Sequence, residues 1–266
     1  MMKKFYLLLV LLPLFIFFSG CENSVEEEEF PFEFRLVIRG ILEPGKAAAN
    51  IYIGRTMPIS SQFSQGFANV TDAAAVILHN GTFFPLRHTI NGLYRNDTLI
   101  IRAGETYQLL VQWEDKLATA ETTIPNRGII SKPVVKTEIN GAESKNFVET
   151  AVAPFANEVY AATWVAFSIS GAVTQEDSSI AAVMKRGDNG QMKVTTSQVP
   201  SPIGTQNLGM RMFIYDAPFY DYYYSQGSNR TSDLVFGQPQ NNIKWNVQAD
   251  GIGMFIGRRD TLLRMN

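Results

Sequence analysis

Phe34-Arg35-Leu36-Val37-Ile38-Arg39-Gly40 alternates apolar Phe34, Leu36 and Ile38 with polar Arg35 and Arg39. Successive side chains of a strand point to opposite faces, so a period of two puts the apolar set on one face. The chain repeats this arrangement in short runs broken by turn residues. Glu43-Pro44-Gly45 reads as a turn, and Asn50-Ile51-Tyr52-Ile53-Gly54 as the partner strand. Residues 56–69 read as a loop. Residues 75–84 read as a hairpin with Asn80-Gly81 at its tip, because Asn-Gly tolerates the positive φ angles of a type I′ turn. Residues 98–101, 107–113 and 117–123 read as further strands, the last two joined through Glu114-Asp115-Lys116. Six or seven strands of this kind predict an immunoglobulin-like or transthyretin-like β-sandwich over residues 32–125. Charged residues make up only 18% of the chain while Thr, Val, Ile and aromatics are frequent, which places the whole protein in the all-β class.

Residues 126–266 read as a second β-rich domain with one or two short helices, entered through a linker at 125–132. Strands are expected at 134–137, 161–171, 192–196 and 208–215, with Val165, Phe167 and Ile169 on one face. Asp216-Ala217-Pro218 suits the start of a helix that Gly227 can end. Residues 242–247 and 251–257 are expected to form a terminal hairpin, its glycines suiting a strand that another backbone approaches closely.

Ahead of this β-rich body stands a different segment. Lys3 and Lys4 precede an apolar run from Phe5 to Phe18, and Ser19-Gly20-Cys21 follows. A charged start, a short apolar run and small residues at the exit make a secretory signal over residues 1–20. Pro13 and the shortness of the run argue against a spanning helix. Cys21 is the sole cysteine, so no intramolecular disulfide exists. Residues 21–31 read as a solvated tether, because the carboxylates of Glu26, Glu27, Glu28 and Glu29 repel one another.

Ser19-Gly20-Cys21 resembles the lipobox of bacterial lipoproteins, with Phe18 where Leu is usual. That resemblance implies lipidation of Cys21, a palmitate-type anchor, with the cysteine as mature N-terminus. The acidic run resembles the surface-export signal of Bacteroidota lipoproteins, which implies an outer-membrane protein facing the cell exterior. Val70-Thr71-Asp72-Ala73, Gly92-Leu93-Tyr94, Ala103-Gly104-Glu105-Thr106-Tyr107, Thr123-Ile124-Pro125 and the closing Gly-Ile-Gly-Met-Phe at 251–255 are similar to the family called domain of unknown function 4249. The family resemblance implies an accessory or binding subunit of a TonB-dependent outer-membrane transporter, taking up a glycan or other small nutrient.

Chemistry is sparse in the sequence. His79 and His88 lie near one predicted hairpin, too few for a zinc site, and HExxH, GxSxG, P-loop and GxGxxG motifs are absent. No catalytic residue, metal or cofactor is therefore expected. No basic patch argues for nucleic acid. Asp216 and Asp221 are the carboxylate pair a carbohydrate-active hydrolase would need in the C-terminal domain. Tyr220, Tyr222, Tyr223 and Tyr224, with Phe219 before them and Trp245 beyond, are candidates for a stacking platform. The alternatives to a binding subunit are thus such a hydrolase, or an adhesin or structural lipoprotein.

Overall fold

A computed structural model describes residues 32–153, 158–178, 180, 183–185, 192–201, 207–228 and 243–265. Cys21 and Glu26 to Glu29 lie outside them. Residues from Phe34 to Asn266 make one compact unit.

In chain order the strands are β1 (Leu36–Leu42), β2 (Ala47–Arg55), β3 (Ala74–His79), β4 (Thr82–His88), β5 (Leu93–Ile100), β6 (Thr106–Trp113), β7 (Lys116–Thr123), β8 (Ile129–Ile130) and β9 (Val134–Asn140). They continue with β10 (Glu143–Ala153), β11 (Glu158–Phe167), β12 (Val173–Glu176), β13 (Val183–Lys185), β14 (Met192–Thr195), β15 (Leu208–Asp216), β16 (Gln248–Ala249) and β17 (Gly251–Arg264). Two short helices stand among the described residues, α1 (Gln65–Ala68) and α2 (Pro218–Ser228). The all-β class with one or two short helices is what the structure shows.

One long path of strands runs β12-β11-β15-β17-β1-β2-β5-β4-β3-β6-β7-β16, with β13 also on β11. It folds over at β4, which pairs with both β3 and β5. Strands β1 to β7 thereby form the two facing sheets of the expected immunoglobulin-like sandwich. Its core holds Leu36 and Ile38 from β1, Ile51 and Ile53 from β2, Ile77 from β3 and Leu109 from β6, all fully buried. The period of two seen in the sequence is the cause. Strand β1 buries positions 36, 38, 40 and 42 and leaves 37, 39 and 41 facing outward. Phe34 lies just outside β1 and is 40% exposed.

Turn chemistry is as expected at the β3–β4 tip, where Asn80 and Gly81 have φ of 48° and 75°. A Cβ added at Gly81 would meet nothing within 4 Å. Gly81→Ala should therefore cost only the left-handed conformation, about 1 kcal/mol in urea unfolding of the full chain.

The 126–266 half holds strands β10, β12 and β13 that were not expected, and departs from expectation in three further places. The terminal hairpin does not form. Residues 243–247 are not strand, and β17 pairs instead with β1 in parallel and with β15 antiparallel. The apolar run at 251–257 found its partner at the opposite end of the chain. Ile169 is not on the face of Val165 and Phe167, because β11 stops at Phe167 and Ile169 sits fully exposed in a turn closed by Gly171 at φ +85°. Within the expected linker, β8 pairs with β10.

Strand β11 is buried at all ten positions. Tyr160, Ala162 and Trp164 on one face pack with Met210, Met212 and the small sheet of β14, β10, β8 and β9. Val159 and Ala161 on the other pack with Met254, Ile256 and the aromatic side chains of α2. Burial on both faces explains why this strand reads as a nearly continuous apolar run.

Candidate functional site

The outer face of β1 and β17 forms the floor of a cavity. Parallel register sets Val37, Arg39 and Ile41 beside Ile252, Met254 and Ile256. On the inner side, β17 presents Gly251, Gly253, Phe255 and Gly257. A Cβ at Gly253 would lie inside the Ile38 carbonyl, one at Gly251 would meet Ala118 at 2.7 Å, and one at Gly257 would meet Ile124 at 3.0 Å. The missing side chains let β17 lie against β1 and β7, while Phe255 fills the space that Gly40 leaves open.

Helix α2 supplies the roof through Phe219 and Tyr222, three residues apart and so on one face of a helix. Phe219 stacks on Tyr215 at 3.8 Å, and Tyr222 meets Trp245 at 5.4 Å. Strand β2 gives the side wall, where small Ala47 and Ala49 leave space beside Tyr52. The cavity is open to solvent on one side and has a volume of about 830 Å³, within the range of small-molecule sites.

Charge sits at defined points of the lining. The Arg258 Nε and Nη2 donate to one oxygen of Glu43 at 3.1 and 2.5 Å, and Lys46 donates to the other. Partial burial pushes the Glu43 carboxyl up, but these hydrogen bonds and the two positive charges outweigh it and hold the group below its usual range. The Arg39 guanidinium lies over the Tyr52 ring, 4.6 Å from its centroid. No carboxylate meets it among the described residues.

Tyr222 and Trp245 line the cavity, whereas the other candidate tyrosines do not. Tyr220 and Tyr223 pack on the cluster of Tyr215, Met254 and Ile256, and the Tyr223 hydroxyl donates to the Ile180 carbonyl at 3.1 Å. Tyr224 is exposed, its ring 4.5 Å from Tyr220. Sequence reasoning missed Arg39, Tyr52 and Arg258 as lining residues. The signal for Arg39 was present in the alternation that turned it outward. Nothing local could show that Met254 and Arg258 would arrive beside it.

The carboxylate pair of Asp216 and Asp221 is not brought into one site. Asp221 is exposed and lines a separate groove with Arg35, Lys244 and Trp245. Asp216 is buried at the end of β15, facing Glu158 across the ladder, beside a cavity of about 270 Å³. The intervening Pro218 starts a helix and turns Asp221 away from the strand. Burial pushes the Asp216 carboxyl up to about 7, against the hydrogen bond its Oδ2 accepts from the Thr122 hydroxyl, which itself accepts the Gly257 amide at 2.6 Å. Glu158 accepts from the Tyr160 hydroxyl at 2.5 Å. Thr122 links β7 to β15 and to β17.

The histidines hold structure. His79 stacks on Tyr107 at 4.3 Å with its Nδ1 on the Thr106 carbonyl, and His88 accepts the Gly92 amide at 3.3 Å. Among the described residues, no three His, Cys, Asp or Glu side chains converge as a metal set, and no helix is long and apolar enough to cross a membrane.

The family model described as "Domain of unknown function (DUF4249)" matches residues 22–261. No curated protein matches the chain. A solved structure described as bovine butyrophilin aligns over 88% of this chain and 100% of its own, at 10% identity and a TM-score of 0.22.

Proposed function

We propose, on the premise that this chain belongs to the DUF4249 family, that it is a non-catalytic binding lipoprotein of the Bacteroidota outer membrane. The cavity under α2 and Trp245 takes up a small nutrient on the cell exterior, and the protein serves as accessory to a TonB-dependent transporter. The single observation that carries the binding reading is this apolar, aromatic-roofed cavity with a few placed charges, the usual make-up of a small-molecule site. The anchor and outward orientation rest on Ser19-Gly20-Cys21 and on Glu26 to Glu29.

Cys21→Ser is expected to release the exported protein from the membrane fraction, since acyl chains on this residue are the durable attachment. Retention of the variant in high-salt-washed outer membranes would refute the anchor. Replacing Glu26 to Glu29 with Ala should leave the melting temperature unchanged and abolish protease accessibility on intact cells. Wild-type accessibility would reduce the run to a spacer. Co-purification of a β-barrel transporter with the tagged protein tests the partnership, and a transporter-free pull-down from membranes holding both would count against it.

A further inference from the structure

Resting on the cavity as the binding site, we infer that its ligand is an amphipathic organic anion with an apolar, ring-bearing body and one carboxylate- or sulfonate-type group. Arg39 apart, the floor of Val37, Ile41, Ile252, Met254 and Ile256 is apolar, and the remaining hydrogen-bonding side chains stand on the wall and roof. A polyhydroxylated ligand seated on that floor would find a partner only at Arg39, and each hydroxyl turned to the aliphatic positions would lose its water at a cost. Such a floor, beneath Phe219, Tyr222 and Trp245, suits a ligand whose body is apolar and flat.

The charge on the ligand follows from the lining. Arg39, Lys46 and Arg258 face a single carboxylate, Glu43, in a chain whose formal net charge is −2. The cavity is thus a positive spot on an acidic protein. Glu43 is already shared by Lys46 and Arg258. Arg39 stands apart, exposed on the outer face of β1 and backed by the Tyr52 ring, with its guanidinium edge open to an acceptor. A planar guanidinium held by stacking presents a fork that a carboxylate or sulfonate accepts in two hydrogen bonds. Arg39 and Met254 are register partners, so that anion would sit in mid-floor, within reach of both roof and wall.

Two fluorescent probes with the same ring system separate the parts of this inference. 8-Anilino-1-naphthalenesulfonate carries the anion, and N-phenyl-1-naphthylamine lacks it. The full chain should bind each saturably at one site, and Ala49→Trp, which fills the wall, should abolish both. Arg39→Gln should weaken the sulfonate probe by at least about tenfold while changing the uncharged probe by less than about twofold, the difference expected of one charge-assisted pair. Arg39→Lys should recover only part of the loss, because an ammonium keeps the charge but not the stacked, two-hydrogen-bond fork. If Arg39→Gln leaves the sulfonate probe unchanged, or weakens both probes equally, the anion inference falls while the cavity reading stands. If neither probe binds wild-type protein, or Ala49→Trp leaves both bound, the cavity reading falls with it.

Discussion

Gly253→Ala is expected to destabilise the protein by at least about 3 kcal/mol, against about 1 kcal/mol for Gly81→Ala. Both glycines have positive φ, 123° at Gly253 and 75° at Gly81, so both substitutions carry conformational strain. The difference is space. Gly81 sits at an open turn, whereas a methyl group at Gly253 would occupy the position of the Ile38 carbonyl. β17 would have to leave β1, and it would take with it Phe255 from the sandwich core and Met254 and Ile256 from the cavity floor. Urea unfolding of both variants in the full chain checks this. Equal costs would mean that β17 shifts without penalty and is not what joins the two halves of the sheet.

Asp216→Asn should flatten the dependence of stability on pH. The folded carboxyl titrates near 7 and the unfolded one near 3.8, because burial disfavours its charge. Below about pH 4 both states hold the proton and the native contribution is fully present. As pH rises towards 7 the unfolded chain gives up its proton first, so stability is lost across that window, on the order of 4 kcal/mol for a shift of this size. Asn has the shape of the protonated acid and leaves the Thr122 hydroxyl an acceptor. The variant should therefore match wild type near pH 4 and exceed it at pH 8. Glu43 works in the opposite sense, since its lowered pKa adds stability above its unfolded value, so the quantity to read is the difference between wild type and variant. Parallel curves for the two proteins across pH 4 to 8 would show that Asp216 is ionised throughout and that its burial is relieved in another way.

The sandwich was legible because its information is local. Alternation at 34–39 and 107–113, the Glu43-Pro44-Gly45 turn and the Asn80-Gly81 tip each specify a strand or a bend within a few residues. Strand β10 was equally local and went unread. Asn140-Gly141 precedes it, with Gly141 at φ +63°, and Val148, Thr150 and Val152 alternate into the interior. The pairing of β17 was not legible. Its glycines announced a close backbone approach, but a period of two carries no address, and the nearest apolar run at 242–247 was the wrong partner. The cavity inherits that gap. Tyr222 and Trp245 could be named as aromatic candidates, but helical spacing puts both Tyr222 and Tyr223 on the face of Phe219 and does not say which of them lines the cavity. Arg39 became part of a site only once Met254 and the roof stood beside it.

The most direct measurement of the central claim uses Trp245 as a reporter. Trp113 and Trp164 are buried at 8% and 3% exposure, while Trp245 is 37% exposed at the cavity roof. N-phenyl-1-naphthylamine bound beneath it should quench tryptophan emission of the full chain by energy transfer. Trp245→Phe should reduce that quenching while the probe still binds, and Ala49→Trp should remove binding itself. Undiminished quenching in Trp245→Phe, together with unchanged affinity in Ala49→Trp, would place the probe elsewhere and contradict the cavity as the binding site.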